Sequence, residues 1–202
     1  MKDNISIAGN YATAQYLLIA EPHAALAEEI QRLKQDFGVK YECASSVTGK
    51  PNMTLARFEQ YEMLEQKIIL RMKNIATTQS SFIVDLQDFG SFPTHSIFLQ
   101  VTTKTHWASL ARSFRPMQQL LTMDKDRKVH FITDPHINIA RKLLPWQYEK
   151  GWLELSNTHF SGRFVIDRLT LLRKRQDETY YSTLQRFSLL NLKEEVKQGA
   201  LF

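Results

Sequence analysis

Two short stretches of this chain repeat one pattern of residue types. Lys50-Pro51-Asn52-Met53-Thr54-Leu55-Ala56-Arg57 and Asp134-Pro135-His136-Ile137-Asn138-Ile139-Ala140-Arg141 carry Pro, Ala and Arg at the same offsets, with polar, apolar, polar, apolar positions in between. The copies are 84 residues apart, counted from position 52 to position 136. Matching places thus hold an imidazole that changes charge near neutral pH (His136) and three uncharged hydrogen-bonding groups (Asn52, Thr54, Asn138). One such group can exchange a proton while the others donate hydrogen bonds. The alternation is strand-like, which puts Asn52 beside Thr54 and His136 beside Asn138 on one strand face. Pro51 and Pro135 fit just ahead of a strand, where a missing N–H leaves no ladder bond unmade.

The surroundings repeat as well. A strand pattern over Gln15–Ala20 precedes a helical pattern and then the first copy. A strand pattern over His95–Val101 precedes a second helical pattern and then the second copy. A fixed offset of this kind marks an internal repeat. The chain is therefore expected to use a strand–helix–strand unit twice, with two polar strand faces meeting in one groove.

With those residues in view, the second copy resembles the second signature of the two-histidine (2H) phosphoesterases of the 2′-5′ RNA ligase-like branch, written His-x-Thr/Ser followed by an apolar residue. The first copy resembles the first signature, with Thr54-Leu55-Ala56-Arg57-Phe58 intact. Phe89-Gly90-Ser91-Phe92-Pro93 leading into Ile97–Val101 is similar to the same family, and so is Phe160–Leu172. The likeness covers roughly residues 14–188. It implies an α+β fold: two pseudo-symmetric lobes of antiparallel sheet with outer helices and a central groove, forming a single domain over 1–202.

The resemblance also implies metal-independent, cofactor-free chemistry on 2′,3′-cyclic or 2′-5′ phosphodiester bonds of RNA or nucleotides. Two imidazoles flank the phosphorus in that reaction, one taking a proton and the other giving one, while hydroxyls two residues on hold the phosphoryl oxygens. Carried onto this sequence, His136 is the catalytic residue, and Asn52, Thr54 and Asn138 bind the substrate phosphate. Asn52 stands where the first His belongs, and Asn138 stands where the second Thr/Ser belongs. A carboxamide does not titrate usefully, so impaired activity is expected. The alternative is a non-catalytic nucleotide- or RNA-binding module. A third possibility is a descendant that only binds proteins.

Composition excludes several classes. Hydrophobic content of 43% with 23% charged residues is that of a globular chain, not a disordered one. A net charge of +5 favours polyanionic partners. A single cysteine, Cys43, excludes an intrachain disulfide and a cysteine zinc cluster and suits a reducing cytosol. Its simplest role is a small buried apolar residue. The longest apolar run near the N-terminus, Tyr16–Ala20, is too short for a secretory signal, so a cytoplasmic protein with no membrane partner is expected, monomeric by default.

The remaining elements frame the groove. Residues 1–13 read as irregular. A helix opened by Pro22 carries Leu26, Ile30, Leu33 and Phe37 and stops at Gly38. A second helix over Tyr61–Ile75 carries Leu64, Ile68 and Met72. A third, capped by Thr105, carries Trp107, Leu110, Ala111 and Phe114. Strands are expected at Phe82–Val84, with a turn at Gly90–Pro93, and at Phe164–Leu172 and Tyr180–Phe187, joined by a charged turn over Arg173–Glu178. Val129–Ile132 is expected to begin the second signature strand, and Pro145 to open a short helix. Arg57 and Arg141 stand five residues past Asn52 and His136, which on a regular strand places them on the opposite face. Of the other histidines (His23, His95, His106, His130, His159), His130 or His159 could stand in for the missing imidazole. Phe92, Tyr41, Trp107 and Trp146 read as core or lobe-edge cover before base-stacking platforms.

Overall fold

A computed structural model describes residues 12–192; the expectation for residues 1–11 lies outside that range. In chain order the elements are β1 (Thr13–Ala20), α1 (Ala24–Lys40), β2 (Met53–Tyr61), α2 (Glu65–Thr78), β3 (Phe82–Phe92), β4 (Ser96–Val101), α3 (Lys104–Ser113), α4 (Gln118–Leu121), β5 (His130–Phe131), β6 (His136–Arg141), α5 (Pro145–Leu155), β7 (Ser161–Ile166), β8 (Arg168–Arg175) and β9 (Ser182–Ser188). The strands form two antiparallel sheets, ordered β5-β2-β1-β8-β9 and β6-β4-β3-β7. This is the expected α+β architecture of two sheets with helices. Among the described residues no helix is long and apolar enough to cross a membrane.

The doubled unit is real in three dimensions. β1 and β2 are antiparallel neighbours in one sheet, and β4 and β6 are antiparallel neighbours in the other. Each unit's helix packs across to the sheet of the other unit. Helix α1 lies against β6 and β7, while the α3–α4 segment lies against β2. There Gln60 Nε2 donates to the Leu120 carbonyl (2.9 Å), and Trp107 Nε1 donates to the Ile132 carbonyl (2.8 Å). The stripe read from the sequence of α3 is the reason: Trp107, Leu110, Ala111 and Phe114 are all buried. Each large side chain of this kind contributes about 1.5–3 kcal/mol on burial.

Several local expectations are corrected. Gly38 does not end α1. It sits inside the helix, where a Cβ would lie 2.6 Å from Val47 Cγ2, and the chain turns instead at Glu42 with φ of 50°. Thr105 does not cap α3; the cap position is Thr103, whose hydroxyl accepts from the Asp85 amide of β3. The turn after β3 is later than Gly90–Pro93, because the strand runs through Phe92. Phe164–Leu172 is two strands in different sheets, divided at Asp167. His130–Phe131 pairs with β2 of the other sheet before the chain crosses to β6. Arg173–Arg175 is strand, not turn: Arg173 pairs with Glu65 (3.1 Å) and Arg175 with Glu62 (2.8 Å) on the helix side, while Lys174 alternates to the other face.

Helix α1 also buries a cation. Lys34 is only 4% exposed, and its Nζ donates to the carbonyls of Thr48 (3.3 Å) and Gly49 (2.6 Å), pinning the segment that leads to Asn52. Burial, aided by the nearby charge of Arg141, lowers its pKa from 10.5 to about 8. Between those values the unfolded chain binds more protons than the folded one, so stability rises with pH across that window, by about 3 kcal/mol in all. Urea unfolding at pH 7, 8.5 and 10 should show this rise in the native protein and not in Lys34→Met. At the contact between α1 and α5, a Cβ on Gly151 would meet Phe37 Cζ at 2.5 Å, and Phe37 is itself buried. Gly151→Ala should therefore lose about 1–3 kcal/mol through overpacking, read as a lower urea midpoint at unchanged slope.

Candidate active site

The two signature segments share one residue-by-residue environment. Pro51 and Pro135 are buried, Asn52 and His136 half-buried, Met53 and Ile137 buried, Thr54 and Asn138 half-buried; Leu55-Ala56 and Ile139-Ala140 are buried, and Arg57 and Arg141 exposed. The polar pair of each copy thus shares a face, as the alternation requires. Asn52 and His136 also turn back in the same way, each to the carbonyl two residues earlier. Asn52 Nδ2 donates to the Lys50 carbonyl (2.9 Å), and His136 Nδ1 lies 3.2 Å from the Asp134 carbonyl. Thr54 Oγ1 then donates to Asn52 Oδ1 (3.3 Å). The Asn138 side chain makes no hydrogen bond to another described residue.

The His136 contact fixes its chemistry. A carbonyl only accepts, so Nδ1 carries the proton and Nε2 of the neutral ring keeps a free lone pair. Burial holds the imidazole pKa below its ordinary value; the Asp134 carbonyl and carboxylate pull it up, and Arg141 and Lys104 push it down. Two rings enclose it, Phe98 at 4.8 Å and Phe92 at 5.4 Å between centroids, with Phe92 and Phe98 themselves 4.8 Å apart. Phe92, 40% exposed, is a wall over His136 at the lobe edge. Gly90 is required beneath it, since a Cβ there would lie 2.5 Å from Phe98 Cε2.

Arg57 and Arg141 do not face away. The pairing of β1 with β2 slips by one residue between Leu18 and Ile19, so that Thr54 opposes Ile19 and Arg57 opposes Leu17. The pairing of β4 with β6 slips in the same place, so that Asn138 opposes Phe98 and Arg141 opposes Ser96. Each copy carries a β-bulge, at Leu55 and at Ile139, and an extra residue reverses the alternation beyond it. Arg57 therefore shares a face with Thr54, and Arg141 with Asn138. Strands β2 and β6, which lie in different sheets, approach within 8 Å between Cα atoms.

Tyr181, at the entry to β9, marks the meeting point. Burial pushes its phenol pKa up, while the guanidinium charges of both Arg57 and Arg141 oppose that shift. Tyr181 was not singled out by sequence reasoning, and Lys174 was read only as part of a charged turn, with RNA contact as the alternative. The available signal was the apolar doublet, Leu55-Ala56 and Ile139-Ala140, which breaks strict alternation in both copies.

The other histidines divide by place. His130 is in register with Arg57 and shares its face. His159 is exposed and bonded to Asp88, His95 lies against the Pro93 carbonyl, His106 stacks on Phe82, and His23 caps α1. Among the described residues no three His, Cys, Asp or Glu side chains are grouped as a metal would need. Cys43 is buried, and burial raises its thiol pKa.

Comparison with known proteins agrees with this fold. Escherichia coli LigT complexed with NADP+ superposes with a TM-score of 0.59 at 18% identity, covering 88% of this chain and 99% of that one. The same protein complexed with 3′-AMP gives a TM-score of 0.58 at 16% identity, covering 88% and 98%. A structure described as a phosphoesterase gives 0.55 at 15% identity, covering 87% and 98%. At these identities the likeness is one of fold. No curated protein sequence matches the chain. The sequence profile of the 2′-5′ RNA ligase superfamily matches residues 22–178, a span that takes in both bulged strands and the groove between them. The chain belongs to the 2′-5′ RNA ligase superfamily.

Proposed function

We propose that this protein binds a 2′,3′-cyclic or 2′-5′ phosphodiester of RNA or a nucleotide in the groove between its two sheets, with His136 as the one titrating group. Asn52, Thr54 and Asn138 hold the phosphoryl oxygens. The observation that carries this reading is the matched pair of bulged strands, with the same burial, the same backward turn of Asn52 and His136, and polar faces that meet. LigT structures with 3′-AMP and NADP+ add support for a nucleotide ligand. The setting is cytoplasmic, where an unpaired Cys43 stays reduced.

In the reaction, His136 Nε2 takes a proton from water as its oxygen attacks phosphorus. One P–O bond of the cyclic ester then breaks, leaving a phosphomonoester. The departing oxygen needs a proton, which the Asn52 amide does not supply, so it comes from solvent. Losing one such acid costs about 10²–10⁴-fold in rate. A binding module with no turnover is the second reading, and Asn52 is the residue that favours it.

Substitution separates the readings. With a 2′,3′-cyclic nucleotide as substrate, Asn52→His should raise turnover by about 10²–10⁴-fold if the missing acid is the defect. An unchanged rate would assign the proton to another histidine, of which His130 is the one on the groove face. His136→Ala should abolish cleavage in either background, and the rising limb of the native pH–rate profile should lie below the ordinary histidine pKa of 6.5. If the native protein neither cleaves nor, in calorimetric titration, binds the cyclic nucleotide, the reading is wrong.

A further inference from the structure

A cavity of about 280 Å³ opens on the five-stranded sheet, lined by Thr13, Ala14, Gln15, Glu59, Lys174, Arg175 and Gln176. Register places the side chains of Gln15, Glu59 and Lys174 on the groove face. Thr54 opposes Ile19, Arg57 opposes Leu17, and Glu59 opposes Gln15, so the three β2 residues step down one face. Lys174 opposes Gln15 from the other side. Ile19 to Gln15 is four residues, about 13 Å along the strand, with Arg57 about halfway. A phosphoryl group held at Thr54 does not itself reach the cavity; what is attached to it does.

The lining is suited to one kind of occupant. Tyr181 Oη donates to Gln15 Oε1 (3.2 Å), which holds that carbonyl and leaves the amide N–H₂ to donate. Gln176 Nε2 donates to Thr13 Oγ1 (3.2 Å), leaving its carbonyl to accept. Glu59 accepts from Arg127 (3.2 Å) and keeps a second oxygen. Lys174 lies over the Tyr181 ring at 5.9 Å and, like Arg57, forms no ion pair with a described residue. Donors and acceptors set side by side around a small cavity suit the edge of a nucleobase, and unpaired cations on the approach suit the phosphate that joins it to its neighbour. The volume is near the lower limit for small-ligand pockets, roughly 300 Å³, which is room for one base.

We propose that this cavity is a second subsite, taking the base of the nucleotide next to the one held at Thr54 and His136, with Arg57 on the intervening phosphate. It rests on the phosphodiester-binding reading above and narrows the ligand to an oligonucleotide.

The test is calorimetric titration of the full chain with a ribonucleoside 3′-monophosphate and with a triribonucleotide ending in that same unit. The triribonucleotide should bind roughly tenfold or more tightly than the monophosphate. Lys174→Ala and Gln15→Ala, both at side chains outside the core, should remove most of that advantage and change monophosphate affinity less than twofold. Lys174→Ala should also flatten the salt dependence of triribonucleotide binding by about one counterion. Equal affinity for the two ligands, or equal weakening of both by the variants, overturns the subsite while leaving the phosphate site standing. Binding of neither overturns both. Triribonucleotide binding that depends on Lys174, without measurable monophosphate binding, upholds the subsite and moves the fault to the phosphate site.

Discussion

Two β-bulges, at Leu55 and Ile139, decide what the groove of this protein contains. Each inserts one extra residue into a strand, so that two consecutive apolar side chains point to the helix side and the next polar residue returns to the groove. Without them Arg57 and Arg141 would project into the core beside Phe58 and Leu143, where an unpaired guanidinium is very unfavourable. With them the sheet keeps an unbroken apolar back and gains a cation on its front. The bulge in β2 is held from outside the strand pair as well: the Leu55 carbonyl accepts from the Ile132 amide (2.9 Å), just where the chain passes from β5 toward the other sheet. One backbone irregularity thus sets the charge of the groove and ties the two halves together.

The exchange of helices works in the same direction. Helix α1 lies on the four-stranded sheet and α4 on β2 of the five-stranded one, so each strand–helix–strand unit lends a helix to the sheet of the other. Separating the sheets would expose the stripes of both helices, so the distance between the polar faces is fixed by core packing rather than by contacts within the groove. That is how a site on two distant segments can be held ready before a ligand arrives. Lys34 shows the expense tolerated for the same end: a nearly buried ammonium whose hydrogen bonds to Thr48 and Gly49 steady the entry to β2.

Charge is sorted between the two surfaces of the five-stranded sheet. Glu62 and Glu65 sit on the helix side and pair with Arg173 and Arg175 there, while Arg57 and Lys174 look into the groove without carboxylate partners among the described residues. Glu59 is an acid on the groove side of this sheet, and Arg127 pairs with it there (3.2 Å). Burial beside the rings of Phe92 and Phe98 favours the neutral form of His136, with Nδ1–H held by the Asp134 carbonyl and Nε2 left as an acceptor.

The sequence alone determined the repeat, the polar faces of its two strands, the helix stripes and the pairing of Asn52 with Thr54 and of His136 with Asn138. These follow from periods of 2 and 3.6, which a local window contains. Tertiary structure decided what those periods do not carry. Which sheet a strand joins depends on partners far along the chain, so His130–Phe131 and the two halves of Phe164–Leu172 were assigned correctly only by pairing. Gly38 was needed for the approach of Val47 and not for a helix end, a fact that exists only once both are packed. The facing of Arg57 and Arg141 turned on a one-residue slip in hydrogen-bond register. A strict alternation assumes that no such slip occurs; the apolar doublets at Leu55-Ala56 and Ile139-Ala140 mark where it does.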